Sequence, residues 1–165
     1  MGKKESEKGK VPALVIQQPW AYLVTHGFVK LLTAHVWWSH RGLLWVYAHG
    51  VDEFAMGYYK SKRSMRTFKI TDHMDMREGA FVGAGIMKGS ISMLSYRDPN
   101  RWEATRAQHM RIGKFPGASA KWGLQITGMF FEVPVRGEGH KSRIFYPTVE
   151  EEAVMLDEVG DFAWQ

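Results

Sequence analysis

A lysine, a hydroxyl and several indoles occur together in one short stretch near the N-terminus of the chain. Lys30 and Thr33 are three residues apart, and the indoles of this stretch belong to Trp20, Trp37 and Trp38. Burial beside aromatic rings lowers the pKa of a lysine, and such a lysine can accept the proton of an attacking hydroxyl. Lys30 and Thr33 are therefore a candidate base and nucleophile.

The same two residues also fit a simpler interpretation. Lys30 would contact a phosphate or a base edge, and Thr33 would be present because β-branched residues suit strands. Residues three apart on a regular strand point to opposite faces, so Lys30 and Thr33 converge only across a bend or bulge. The sequence leaves catalysis and simple ligand contact open.

Aromatic and polar side chains near this pair are candidates for binding a planar, charged ligand such as a nucleotide. The chain has 7 Trp in 165 residues, more than a core of this size usually needs. An indole that stacks on a base contributes about 1–3 kcal/mol, whereas other indoles must fill the core. We expect ligand contacts from Gln18, Trp20, His35, Trp37, Trp38, Arg41, Tyr47, His49 and Trp122.

The histidines and the absence of cysteine argue against metal and thiol chemistry. His35, His40 and His49 lack the spacing of a zinc-binding helix, and no carboxylate cluster accompanies them. A chain without cysteine has no disulfide and no thiol nucleophile. We therefore predict no metal and no cofactor.

Charge is unevenly distributed along the chain. The net charge is +5, yet residues 149–165 contain six carboxylates and no Lys or Arg, so residues 1–148 carry +11. A strongly basic body attracts polyanions and releases their counterions. This favours RNA or another nucleic acid, or a nucleoside-like small molecule, as the partner, although a merely solubilising surface has the same composition.

Periodicity and turn residues predict the elements that must position these side chains. We expect strands over 13–17, 30–38, 43–48, 80–94 and 143–146, and either a strand pair or one long strand broken near Gly128 over 121–133. Helices are expected over 20–26, 52–62, 99–112 and from a Thr148–Glu151 capping box to about residue 160. Glycines inside the long strand over 80–94 predict bends or bulges. Together these elements indicate an α+β fold with a closed or half-closed, curved β-barrel and short flanking helices.

Length and terminal composition predict a single domain. Residues 1–10 are polar and charged, and we expect a disordered tail there, with one domain over 11–165. The apolar run over 13–16 is too short for a signal peptide or a membrane span. An intracellular protein, cytoplasmic or nuclear, is expected.

The stretch described first resembles the signature of the ASCH domain, a family of the PUA-like superfamily. The matching residues are Gln18-Pro19-Trp20-Ala21, Gly27, Lys30, Trp37, Arg41-Gly42 and the strand over 44–48. Weaker similarity continues at residues 79–83, 122–124 and 131–137. Three positions depart from the usual pattern, because Thr33 replaces a glutamate, His35 an arginine and Tyr47 a frequent histidine.

This resemblance implies a PUA-like barrel that binds RNA, a nucleotide or a modified base in a basic, aromatic-lined cleft. It also implies an enzymatic alternative, because Lys-x-x-Thr is similar to the pattern of a small bacterial branch that deacetylates acetylated cytidine. There the threonine is the nucleophile, the lysine assists, and a later glutamate completes the site; Glu103 is the nearest counterpart. A ribonuclease and a protein-interaction module of a transcription or translation complex remain further alternatives.

Overall fold

The structure is a computed structural model that describes residues 7–34, 37–53, 56, 76–92, 122–137 and 143–164. Within these residues, six strands and short helices form the fold. The strands are β1 (Ala13–Gln18), β2 (Leu31–Ala34), β3 (Gly42–Val51), β4 (Ala80–Ser92), β5 (Trp122–Arg136) and β6 (Ile144–Phe145). The helices are α1 (Trp20–Thr25) and α2 (Val149–Val159), and a 3₁₀ turn over Gly160–Trp164 follows α2. The helix predicted over 99–112 lies outside the described residues, as does the one over 52–62 apart from residues 52, 53 and 56.

All six strands belong to one mixed sheet with the order β2-β5-β4-β3-β1-β6. β1 pairs with β3 in parallel, and the other pairs are antiparallel. The predicted α+β architecture is confirmed, but the sheet is not closed into a barrel in the part of the chain that is described, since β2 and β6 lie at its two edges. Register shifts interrupt the pairing of β4 with β5 at Phe81/Gly83 and at Met87/Gly89, and bulges of this kind bend a sheet.

Each face of the sheet carries its own hydrophobic core. Alternation along β3 directs Leu44 and Val46 to the face on which α1 packs, and it directs Trp45 and Tyr47 to the face on which α2 packs. We call these the α1 face and the α2 face. The two faces therefore offer different surroundings to a ligand.

Two glycines let the backbone of α1 lie directly on the sheet. A Cβ atom on Gly128 would collide with the carbonyl oxygen of Val24, and one on Gly83 would collide with the side chain of Thr25 and a neighbouring carbonyl. Thr25 itself is buried and donates its hydroxyl proton to the carbonyl of Ala21 at 2.8 Å. This close approach fixes α1 over β4 and β5.

The N-terminal segment is fastened to the start of α2. The backbone N–H groups of Lys10 and Val11 donate to the buried carboxylate of Glu152 at 3.1 and 3.2 Å. The N–H of Gly9 donates to the carbonyl of Pro147 at 2.7 Å. The backbone of residues 7–11 is thus hydrogen-bonded beside the start of α2, and residues 1–6 of the predicted tail lie outside the described part.

Candidate nucleic-acid interface

Two indoles meet where β2, β5 and β4 end side by side. Trp122 pairs with Ala34 of β2 on one side and with Ser92 of β4 on the other. The ring of Trp37 packs against that of Trp122 with the centroids 5.0 Å apart and the planes at 76°. Trp37 remains 47 % exposed. We call Trp37 and Trp122 the tryptophan pair.

The residues that follow Trp37 hold the chain in place beside β4. Ser90 donates its hydroxyl proton to the carbonyl of Trp38 at 2.6 Å. The indole of Trp38 packs against the α1-face core and stacks on the ring of His40 at 4.9 Å. His40 in turn donates from Nε2 to the carbonyl of Leu43 at 2.8 Å. Trp38 is therefore partly buried against the core, and it anchors the backbone from which Trp37 projects.

Lys30 lies immediately before β2, and its carbonyl accepts the N–H of Ile126 at 2.9 Å. Its side chain is exposed, as a lysine that contacts phosphate must be. The burial on which proton abstraction by Lys30 depends is not seen. Thr33 pairs through its backbone with Gly123, and its side chain lies outside the described part of the structure.

Arg41 lies at the same end of the sheet as the tryptophan pair but on the opposite face. Its guanidinium is 3.5 Å from the position that a Cβ atom on Gly89 would occupy. Gly89 precedes Ser90, so strand alternation directs it away from the α1 face on which Ser90 and Trp122 lie. The exposed side chain also donates from Nη1 to the carbonyls of residues 39 and 40 at 3.2 and 3.1 Å.

Three of the predicted ligand residues use their polar atoms inside the protein. Gln18 is 1 % exposed; its amide donates to the carbonyl of Arg77 at 2.9 Å and accepts the N–H of Tyr22 at 3.0 Å. The other two are Trp20, whose indole N–H donates to Asp52 at 3.0 Å, and Tyr47, whose hydroxyl donates to the carbonyl of Gly137 at 3.1 Å. Burial raises the pKa of Tyr47, and the nearby charge of Glu151 adds to this effect.

Of the remaining predicted site residues, His49 is described, and it does not join the tryptophan pair. His49 is exposed near the end of β3 that pairs with Ala80, whereas Trp122 pairs with Ser92 at the other end of β4. His35 and Glu103 lie outside the described residues. The described structure thus brings together Trp37, Trp38 and Trp122, and places Lys30 beside the same strand.

Comparison with solved structures identifies the fold. No protein-family model matches this sequence, and no curated protein sequence is detectably similar. The crystal structure of the ASCH protein from Zymomonas mobilis has a TM-score of 0.48 and 9 % identity, and the match covers 90 % of this chain and 94 % of that one. A point variant of the Zymomonas mobilis protein has a TM-score of 0.50 and 8 % identity, and the match covers 90 % of this chain and 98 % of that one.

The chain has an ASCH-like fold.

The ASCH-like sheet of this chain carries a second aromatic group that the sequence interpretation missed. The rings of Tyr22 and His26 lie 3.8 Å apart at 17°, and those of His26 and Phe130 lie 4.2 Å apart at 3°. Burial lowers the pKa of His26, and the hydrogen bond from its Nδ1 to the carbonyl of Tyr22, 2.9 Å long, opposes this shift. The spacing of four between Tyr22 and His26 is a helical pair signal, but nothing local predicts their contact with β5.

Within the described residues, this ASCH-like chain has no group of three or more His, Asp or Glu side chains that could hold a metal ion. None of its described helices is both long and apolar enough to cross a membrane.

Proposed function

We propose that this protein binds RNA, or a nucleotide or modified base, by stacking a base on Trp37 while Lys30 contacts phosphate. The exposure of Trp37 carries this proposal. Trp122 contacts Trp37 in T-shaped geometry, and Trp37 remains 47 % exposed, so its ring is accessible to a base. Such a ring accepts any base, because every base has a π surface.

The distribution of charge supports the same ligand. The body of the chain over residues 1–148 has a net charge of +11. The acidic helix α2 packs on the α2 face, whereas Trp122 lies on the α1 face with Leu124. The sheet therefore lies between the carboxylates of α2 and the tryptophan pair, and this separation weakens their repulsion of a polyanion that approaches the pair.

Titration of the protein with RNA at two salt concentrations tests this function. We expect single-stranded RNA to bind more tightly than double-stranded RNA, because stacking on Trp37 requires an unstacked base. Lys30→Gln should weaken binding and reduce the slope of log Kd against log salt by about 0.7, the value for one phosphate of a single strand. Binding that is absent at low salt, or unchanged in both Lys30→Gln and Trp37→Ala, would overturn the proposal.

A further inference from the structure

We propose that the outer face of the Phe130 ring is a second base-stacking position, so that a single strand of nucleic acid runs from the tryptophan pair past the exposed Lys30, at the edge where β2 joins β5, to Phe130. This inference rests on the proposed function and extends it from one base to a strand of several nucleotides.

The geometry of Phe130 is that of a supported platform. His26 covers one face of its ring in nearly parallel contact, and Tyr22 backs His26 in the same way. Phe130 is nevertheless 47 % exposed, so the exposed area consists of the opposite face and the rim. The ring is held in place before any ligand arrives, and preorganisation of this kind lowers the entropic cost of binding.

Phe130 and Trp122 belong to the same face of the sheet. Leu124 and Ile126 belong to the α1-face core, and alternation along β5 places the even-numbered residues Trp122 and Phe130 on that face. Eight residues of strand separate the two rings by about 26 Å. A mononucleotide cannot reach both positions, whereas single-strand binding sites commonly cover roughly 4–16 nucleotides.

Lys30 lies between the two aromatic positions in the order of β5. Its carbonyl accepts the N–H of Ile126, which is four residues from Trp122 and four from Phe130. The Lys30 side chain is exposed at the edge where β2 joins β5. A nucleic-acid strand that stacks one base at each aromatic position therefore passes the Lys30 cation midway, where a negatively charged phosphate can contact it.

The pattern of exposed rings favours a nucleic acid over an apolar protein partner. A protein interface of standard size buries about 800 Å² per partner and has an apolar centre. Among the described residues, the other large exposed apolar side chains lie elsewhere: Val133 is in β5 beyond Phe130, where the pairing with β4 is interrupted, Tyr146 follows β6, and Val149, Val154 and Leu156 are on α2. Isolated rings beside a lysine suit the bases and phosphates of a nucleic acid better than they suit the broad apolar surface of a protein partner.

Fluorescence anisotropy with uridine oligonucleotides of two lengths tests this inference. Phe130→Leu keeps an apolar side chain but removes the flat ring, and we expect it to weaken binding of a dodecanucleotide about five-fold or more, as loss of one stacked base predicts. Binding of a trinucleotide, which cannot span both positions, should stay unchanged. Phe130→Trp should restore the affinity for the dodecanucleotide. Val133→Ala, at an exposed apolar position further along the same strand, is the matched control and should alter neither.

The outcomes separate this inference from the proposed function. If Trp37→Ala weakens both oligonucleotides and Phe130→Leu weakens neither, the second position is refuted while the proposed function stands. If Phe130→Leu weakens both oligonucleotides equally, or Phe130→Trp does not restore affinity, Phe130 acts by supporting the fold and the inference is also refuted. If the wild-type protein binds neither oligonucleotide, the proposed function fails and this inference fails with it.

Discussion

The stretch that resembles the ASCH signature combines residues with structural roles and residues at the surface. Gln18, Trp20 and Tyr47 have structural roles. All three come from the stretch that resembles the ASCH signature or from the strand after it, and the polar atoms of all three bond within the protein. Sequence alone assigned them to a ligand, because an amide, an indole N–H or a phenol has the same polarity whether its partner is a ligand or a backbone carbonyl. Only the fold reveals the partner.

Gln18→Ala tests the structural role of the buried amide. The substitution removes the acceptor of the Tyr22 N–H and a donor to the Arg77 carbonyl, and loss of such buried bonds costs about 1–3 kcal/mol. We expect the free energy of unfolding, measured in urea, to fall by that amount. Gln17→Ala, at the exposed neighbouring position, should change it little. An unaltered stability of Gln18→Ala would contradict the structural assignment.

Thr33→Ala tests the enzymatic alternative at the scale of a single hydroxyl. Because Lys30 is exposed, it lacks the burial that would make it a base for Thr33. We expect the wild-type protein to release acetate from acetylated cytidine no faster than Thr33→Ala does. Turnover that disappears in Thr33→Ala and survives in Thr33→Ser would instead establish a threonine nucleophile.

At the scale of elements, α2 was predicted well because its start is encoded locally. Thr148 accepts the N–H of Glu151 at 3.1 Å, and the Glu151 carboxylate accepts the N–H of Thr148 at 2.9 Å, so the predicted capping box is confirmed. The adjacent Glu152 could not be assigned a role, because the N–H groups that it binds belong to residues near the other end of the chain.

Glu152→Ala tests the attachment of the N-terminal segment to α2. It leaves the N–H groups of Lys10 and Val11 without their acceptor, which we expect to lower the free energy of unfolding by about 1–3 kcal/mol. Amide hydrogen exchange at both positions should become faster. Glu150→Ala, an exposed position in the same first turn, removes the same charge beside the helix N-terminus and is the control. Equal effects of the two substitutions would show that only the helix dipole is involved.

The position of His26 in the Tyr22–His26–Phe130 stack makes the free energy of unfolding depend on pH. Burial lowers the pKa of His26 below its ordinary value of 6.5. His26 therefore binds a proton more readily in the unfolded chain than in the folded chain. Stability should therefore fall as the pH decreases through 6.5 toward the folded-state value. His26→Phe keeps an aromatic ring in the stack and should reduce this fall in urea unfolding curves. The same fall in both proteins would contradict the assignment.

At the scale of the whole molecule, local patterns specified the strands but not their partners. The strands predicted over 13–17, 43–48 and 80–94 correspond to β1, β3 and β4, and their turn residues and β-branched content explain why. The pairing of β2 with β5, the open sheet and the Tyr22–His26–Phe130 stack depend on contacts between distant segments. Local propensity carries no information about such contacts.

Stacking of a base on the exposed ring of Trp37 is tested by the affinity of Trp37→Ala for single-stranded RNA. Measured at low salt beside the wild-type protein and the control Val133→Ala, Trp37→Ala should bind about five-fold or more weakly, because loss of one stacked base costs about 1–3 kcal/mol. Val133→Ala should match the wild type. An affinity of Trp37→Ala equal to that of the wild type, with the fold intact by circular dichroism, would contradict the account.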